Sequence, residues 1–308
     1  MKEKGITVLS LFDGISCGRI ALERAKVKVN HYFASEIKQI AIKCSSVNYP
    51  DIVQIGDVRN IHYSNGYLFT EKGQFCVGKI DLLIGGSPCQ DFSNAAARWH
   101  KEEKGLYGLQ GDKSSLFYEY LRLKEEIQPD YFLLENVKMK DSAKKELDAY
   151  MGVEGIYINS DLVSYQHRAR YYWTNIPNVT IPEDKGINFQ DYKSKNKAEL
   201  EEAKLNRTPS RERMWNNGQG RNNFKSCLNV TNKTKVGCLT RKQDRCPNSG
   251  LVAYKDFARY LTRSEIEQAQ TLPVGYTSML SYNQMQDVCG DGWTVDVIAH
   301  IFKGLKCK

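Results

Sequence analysis

"LSLFDGISCGRIALE", residues 9–23, is the stretch on which the fold turns. Ile6–Phe12 is an apolar run with the length of a buried strand, Gly14 and Gly18 interrupt it, and Gly18–Ala25 reads as a short helix. Strand, glycine turn, helix is the first half of a βα unit. The pattern then repeats outward. Tyr32–Glu36 reads as a second strand, followed by Ile37, Ile40, Ala41, Cys44 and Val47 at helical spacing. Asp81–Ile84 reads as another strand. Ser114 precedes a helix with Phe117, Tyr120, Leu121 and Ile127 on its apolar face, closed by Pro129, and Tyr131–Leu134 is a short apolar strand. Such alternation predicts an α/β fold, a parallel sheet with helices on both faces.

After Pro177 the texture changes. Residues 183–250 are polar and weakly periodic, which predicts a smaller, irregular second domain. Between residues 180 and 260 there are 17 Lys and Arg against 9 Asp and Glu, so this segment carries the whole net charge of +8. A basic excess gathered in one polar segment suits a polyanion, most simply nucleic acid; a solvated basic face is the other reading. Beyond it, residues 261–272 read as a helix with Thr262 and Glu265 spaced as a capping box, and residues 294–303 as a last helix. Hydrophobic residues make up 41% of the chain, enough for a sizeable core. No apolar run approaches a membrane span, and Met1–Lys4 leads straight into a strand rather than a signal peptide. Nine cysteines, an odd number without CxxC spacing, favour reduced thiols over disulfides or a structural metal site.

Four constellations carry chemistry. The first is the opening turn, whose glycines let backbone approach a ligand; Glu36, ending the second strand, can hold ribose hydroxyls, and Asp57 in "GDV" (56–58) can accept from an adenine amino group. The second is "IGGSPCQDFS" (84–93), which puts Cys89 at a strand's carboxyl end, facing a crevice as a nucleophile would. The third is "FLLENV" (132–137), where Glu135 ends an apolar strand. The fourth is "QHRARYYW" (166–173), where Arg168 and Arg170 would share one face of a strand and suit a phosphate or a base carbonyl. Each alone has a plain structural reading: a small buried cysteine, an ion-paired glutamate, a surface pair of arginines.

Their order is more specific. FDG…G, Glu36, GDV, GGSPCQ, ENV, QxRxR and "GDGWTVDVI" (290–298) together resemble the DNA (cytosine-5)-methyltransferase family, with local details similar to the de novo branch and an architecture similar to bacterial or phage members. The resemblance implies a Rossmann-like class I S-adenosylmethionine-dependent methyltransferase fold: residues 1–178 catalytic, 179–255 a target-recognition domain, 256–308 returning to complete the catalytic domain. It implies S-adenosylmethionine as methyl donor, S-adenosylhomocysteine as product, and binding by Phe12, Asp13, Gly14, Ile15, Glu36, Ile37, Asp57, Val58, Gly86, Asp291 and Trp293. Cys89 would attack carbon 6 of a flipped cytosine, Glu135 would hydrogen-bond its ring, and Arg170, less directly Arg168, would bind its carbonyl or a phosphate. Gln90, Ser93, Asn94, Arg221, Arg241, Lys242 and Arg245 would contact double-stranded DNA, with residues 91–113 as a closing loop. Neither a metal nor a membrane is implied, and the location implied is cytoplasmic and nucleoid-associated. A paired restriction endonuclease and the oligomeric state stay open, as do two rivals: a tRNA methyltransferase of the same family, and a catalytically silent DNA-binding homologue.

Overall fold

The computed structural model describes residues 5–87, 115–217, 228–241, 243 and 247–305. Among these, the chain forms two compact units: residues 5–158, 169–181 and 298–305, and residues 159–168 and 182–297, the latter without its undescribed positions.

The first unit holds a seven-stranded sheet. Its strands are β1 (Ile6–Leu11), β2 (Val29–Ser35), β3 (Val53–Gln54), β7 (Leu82–Gly85), β8 (Tyr131–Val137), β9 (Ile156–Asn159) and β10 (Ala169–Thr174). They lie in the order β3-β2-β1-β7-β8-β10-β9. β3, β2, β1, β7 and β8 run parallel, and β10 is antiparallel to β8. The helices between strands are α1 (Cys17–Arg24), α2 (Gln39–Asn48), α3 (Ser115–Ile127) and α4 (Asp141–Met151). Burial on both faces explains the continuous apolar runs: every residue of β7, and all but the ends of β8, are buried. Leu9, Leu11, Leu83, Phe117, Tyr120, Leu134 and Trp173 belong to one core.

The sequence order reverses between β1 and β7, so this is the switch point where open α/β sheets take ligands. Register sets the strand ends side by side. Leu11 pairs with Ser35 and with Gly85, and Gly85 pairs with Leu134. The turn after β1, Glu36, Gly86–Ser87 and Glu135 therefore line one edge of the sheet. Gly85 fits closely there: a Cβ would lie 3.0 Å from the Tyr120 ring and 3.2 Å from the Leu11 carbonyl oxygen, so its neighbours would have to give by a few tenths of an ångström.

Some boundaries differ from the sequence reading. β2 starts at Val29, since its first half lies at the surface and lacks an apolar pattern. α3 buries Leu123, while Leu121 is only half-buried. A three-stranded antiparallel meander, β4 (His62–Ser64), β5 (Tyr67–Thr70) and β6 (Gly73–Cys76), was not expected at all. Its signal was Asn65-Gly66, a two-residue turn with both residues left-handed, which matches the twist of paired strands.

The second unit contains short helices at Phe189–Tyr192 (α5), Lys197–Glu202 (α6) and Pro209–Asn217 (α7), then a hairpin of β11 (Val252–Tyr254) and β12 (Phe257–Arg259). α8 (Arg263–Ala269) opens with the Thr262–Glu265 capping box, and α9 (Tyr282–Asp291) with a second one from Ser281 and Gln284. α10 (Val295–Phe302) crosses the division between units. Residues 256–297 thus fall with 182–255, whereas the sequence reading assigned 256–308 to the catalytic domain. Buried polar contacts explain the grouping. Arg259 makes a bidentate pair with Glu265 at 2.7 and 2.8 Å, and Gln166 donates to Gln270 at 3.1 Å.

Candidate functional site

The turn after β1 is backbone under strain. Phe12, Gly14 and Ser16 have φ of 56°, 60° and 59°, so three alternate residues are left-handed and two of them carry side chains. Strain of this kind costs roughly 1–3 kcal/mol per residue and persists where the surroundings hold it. The holders are visible. Asp13 N–H donates to the Ser35 carbonyl at 3.1 Å, and the Gly14 N–H donates to Glu36 Oε2 at 2.8 Å. Glu36 Oε1 accepts from the Ile37 and Lys38 N–H groups, both at 2.8 Å. The Glu36 carboxylate thus bridges the turns after β1 and β2, and three of its about four acceptor positions are spent.

Asp13 sits beneath the turn. Its carboxylate accepts from Tyr32 Oη at 2.8 Å and Ser16 Oγ at 2.5 Å. Burial pushes its pKa up to about 6, against the lowering effect of hydrogen bonds from Ser10, Ser16 and Tyr32. Asp57 is bound differently. It caps the short 3₁₀ turn Val58–Asn60 and holds the Arg59 side chain, which keeps its carboxyl below the usual range.

A cleft of about 250 Å³ opens beside these groups. Glu36 and Ile37, both foreseen, line it, with Ile37 63% exposed. Gln39, Ile42, Gln54, Gly56, Glu71 and Lys72 complete its wall and were not foreseen. Glu71 and Lys72 form the turn between β5 and β6, so missing the meander meant missing them. Gly56 has φ of 88°, and a Cβ there would collide with the Glu71 carboxylate.

At the other end of the edge, Glu135 Oε1 meets Arg170 Nε at 2.7 Å, with side chains 11% and 13% exposed. The antiparallel register of β8 and β10 makes this pair, setting Tyr172 opposite Glu135 and Arg170 opposite Val137. Asn136 points the other way and donates to Ser87 Oγ at 3.2 Å and Ser87 O at 3.4 Å. The residue next to Glu135 therefore holds the chain two residues before Cys89. Gly86 precedes that anchor; Ile15 and Val58 are buried beside the turn and the 3₁₀ segment.

Arg168 departs from the sequence reading. β10 begins at Ala169, so Arg168 is not on a strand face shared with Arg170. It lies in the second unit, 3% exposed, and donates to the carbonyls of Leu239 at 2.9 Å, Gly290 at 3.1 Å and Gly292 at 2.8 Å. A guanidinium whose two terminal nitrogens are spent on buried backbone carbonyls acts as a brace between the segments that carry them. Asp291 and Trp293 also lie in the second unit, as does Arg241, whose Nε is 3.6 Å from Asp291 and 3.9 Å from Asp287. Cys89, Gln90, Ser93, Asn94, Arg221, Lys242 and Arg245 lie outside the described residues. Among the described residues, no helix is long and apolar enough to cross a membrane.

Residues 6–150 match the family model of C-5 cytosine-specific DNA methylases. The orphan methyltransferase M.Rho11sI of Bacillus phage rho11s is 35% identical over 135 residues, 43% of this chain and 23% of that protein. The type II methyltransferase M.NgoBV of Neisseria gonorrhoeae is 33% identical over 150 residues, 46% of this chain and 31% of that protein. The matched segment thus spans about a quarter to a third of these curated relatives. The solved methyltransferase EhMeth of Entamoeba histolytica superposes with a TM-score of 0.67 over 98% of this chain and 99% of that one, at 18% identity, a likeness of fold.

Proposed function

We infer, from a chain whose residues 6–150 match the family model of C-5 cytosine-specific DNA methylases, that it methylates carbon 5 of cytosine in duplex DNA. The observation that carries the reading is the joint anchoring at the sheet edge: Arg170 on Glu135, and Asn136 on Ser87. It ties the ENV segment to the chain that leads into Pro88-Cys89.

S-adenosylmethionine would supply an electrophilic methyl group and leave as S-adenosylhomocysteine. The first unit suits such a ligand. Glu36 keeps one acceptor position for a ribose hydroxyl, the exposed Ile37 offers an apolar face to a purine, and the cleft lies beside the carboxyl ends of β2 and β3. Asp57 would receive the adenine amino group once Arg59 gives way. Phe12, Asp13, Gly14, Ile15, Val58 and Gly86 are proposed to border the ligand.

Carbon 5 of cytosine is a weak nucleophile. Addition of the Cys89 thiolate to carbon 6 pushes electron density onto carbon 5, which attacks the methyl carbon. Loss of the carbon 5 proton to a base then expels the thiolate and restores the ring. Glu135 would stabilise the charge that develops on the ring, and Arg170 holds that carboxylate in place. The base must first leave the helix, at a cost of a few kcal/mol. The basic second unit and the segment from Gln90 to residue 113 are proposed to hold the DNA.

The test offers tritiated S-adenosylmethionine with duplex DNA and with total tRNA, separately, and identifies the labelled nucleoside. Label in 5-methylcytosine from DNA, lost in Cys89→Ser, is expected. Label confined to tRNA would overturn the substrate, and label retained by Cys89→Ser would overturn the nucleophile.

A further inference from the structure

The two ends of β8 treat their lysines differently. At the amino end, Lys79 lies just before β7 and pairs with Asp130, the residue before β8. At the carboxyl end, Lys138 follows directly on β8 and is exposed. Its ammonium lies 5.4 Å from the centre of the Tyr157 ring, and among the described residues no carboxylate pairs with it. Tyr157 is itself 39% exposed, on β9, the last strand in the order of the sheet.

Register explains how the lysine comes to rest there. Asn136 and Tyr171 are paired across β8 and β10 and share one face. Tyr157 packs on Tyr171, with ring centres 5.7 Å apart. Lys138 continues the alternation of Asn136, so it leaves β8 on that same face. Met139 is buried in the core and pins the segment between Lys138 and Lys140, which are both exposed. Lys144 also lies over a ring, that of Tyr171 at 5.6 Å, but Asp148 neutralises it at 2.6 Å. A ring face orients an ammonium without cancelling its charge, because it supplies a quadrupole and no counter-ion. The donors of Lys138 that turn away from the ring stay available to an anion.

We propose that Lys138 binds a phosphate of the substrate strand beside the cytosine that Glu135 meets. This rests on the DNA reading above. Lys138 is three residues beyond Glu135, about 10 Å along an extended chain. That span is comparable to the reach from the pairing edge of a base to the backbone of its own nucleotide. A base extruded onto Glu135 brings its backbone over the edge where β8 ends, and a phosphate there meets a positive charge already in place. Lys138 fixes where the strand lies and carries no sequence information. Tyr157 is a positioning residue: it touches no DNA through this path, but it holds the ammonium at the edge.

The test measures binding of the full chain to a fluorescein-labelled duplex DNA of mixed sequence, and separately to total tRNA, from about 50 to 200 mM salt. On DNA, Lys138→Gln is expected to flatten the plot of log affinity against log salt by about 0.9, one phosphate's share. The loss of affinity across this range then becomes about 3.5-fold smaller. Lys138→Arg should restore the slope, and the melting temperature should not move in either variant. Tyr157→Leu should keep the slope and weaken binding about threefold, since the charge stays and only its placement is lost. Lys138→Gln decides the matter by itself if Tyr157→Leu does not fold. Lys79→Gln, at the opposite end of the strands and already paired, should leave slope and affinity unchanged. An unchanged slope in Lys138→Gln, or an equal flattening in Lys79→Gln, would overturn the proposal. Flattening seen with tRNA alone would overturn it too, and would move the phosphate to an RNA substrate. If the unsubstituted chain binds duplex DNA and Lys138→Gln keeps its slope, the DNA reading survives without Lys138. If it binds no duplex DNA, both fall.

Discussion

Arg168 and Arg170 are two residues apart and obey different rules. Arg170 belongs to the sheet of the first unit and reaches a carboxylate, Glu135, at the edge where the strands end. Arg168 belongs to the second unit and is spent on three backbone carbonyls, from Leu239, Gly290 and Gly292. A guanidinium that holds a carboxylate at a strand end can serve chemistry, because the pair tunes and aims a group that a substrate can meet. One sealed among carbonyls serves only the fold. Alternation in the sequence could not separate the two, because it assumed a strand running through both, whereas β10 starts one residue after Arg168.

The comparison breaks most easily at its catalytic side. Arg170→Ala is expected to lower kcat/KM for DNA by about 100-fold or more, because Glu135 loses the partner that orients it. Its melting temperature should move far less than that of Arg168→Ala. A loss of stability equal to that of Arg168→Ala, with normal turnover per folded molecule, would make Arg170 a brace as well.

Arg168→Ala should act on stability. It removes a charged donor from three buried carbonyls, of which Gly292 keeps Gln270 at 3.1 Å, and empties a packed site, which together cost about 3 kcal/mol and lower the melting temperature by about 5 °C. Arg168→Lys should recover only part of this, since an ammonium cannot span carbonyls on both segments as a fork does. Wild-type melting in either variant would remove the brace.

The same contrast explains what was legible in the sequence. Glu36, Asp13 and Gly14 could be read because a strand, a glycine turn and an acidic residue at the next strand end are local patterns. Glu135 could be read because a carboxylate closing an apolar strand has to be satisfied by something. The partners could not be read. That Arg170 holds Glu135 follows from the antiparallel register of β10 on β8, and that Gln54 faces the cleft follows from its pairing with β2. The second unit was legible in charge and poorly in extent. Its limits are set by long-range contacts such as Arg259 with Glu265 and Gln166 with Gln270, which no local window contains. Glu71 and Lys72 are an intermediate case: the Asn65-Gly66 turn was a local signal for the meander that carries them.

The smallest expected effect concerns Asp13, the interior counterpart of Asp57. Arg59 holds the Asp57 carboxyl down, whereas burial raises Asp13 to about 6. The groups facing Asp13 are Tyr32 from β2 and Glu36 beyond it, with Cys17 of α1 facing Tyr32; the proximity of Glu36 adds to the rise. The signs are therefore opposite. Native Asp13 takes up its proton more readily than in the unfolded chain, so its contribution to stability is fully present below about 3.8 and is lost as pH rises through about 6. Asp57 contributes above its ordinary range and is lost as pH falls. Asp13→Asn should remove the first component alone, so the difference in stability between the two proteins, followed by denaturant melts from pH 4 to 7, should move in favour of Asp13→Asn as pH rises. A stability difference that stays flat across this window would show that Asp13 is solvated like any surface carboxylate.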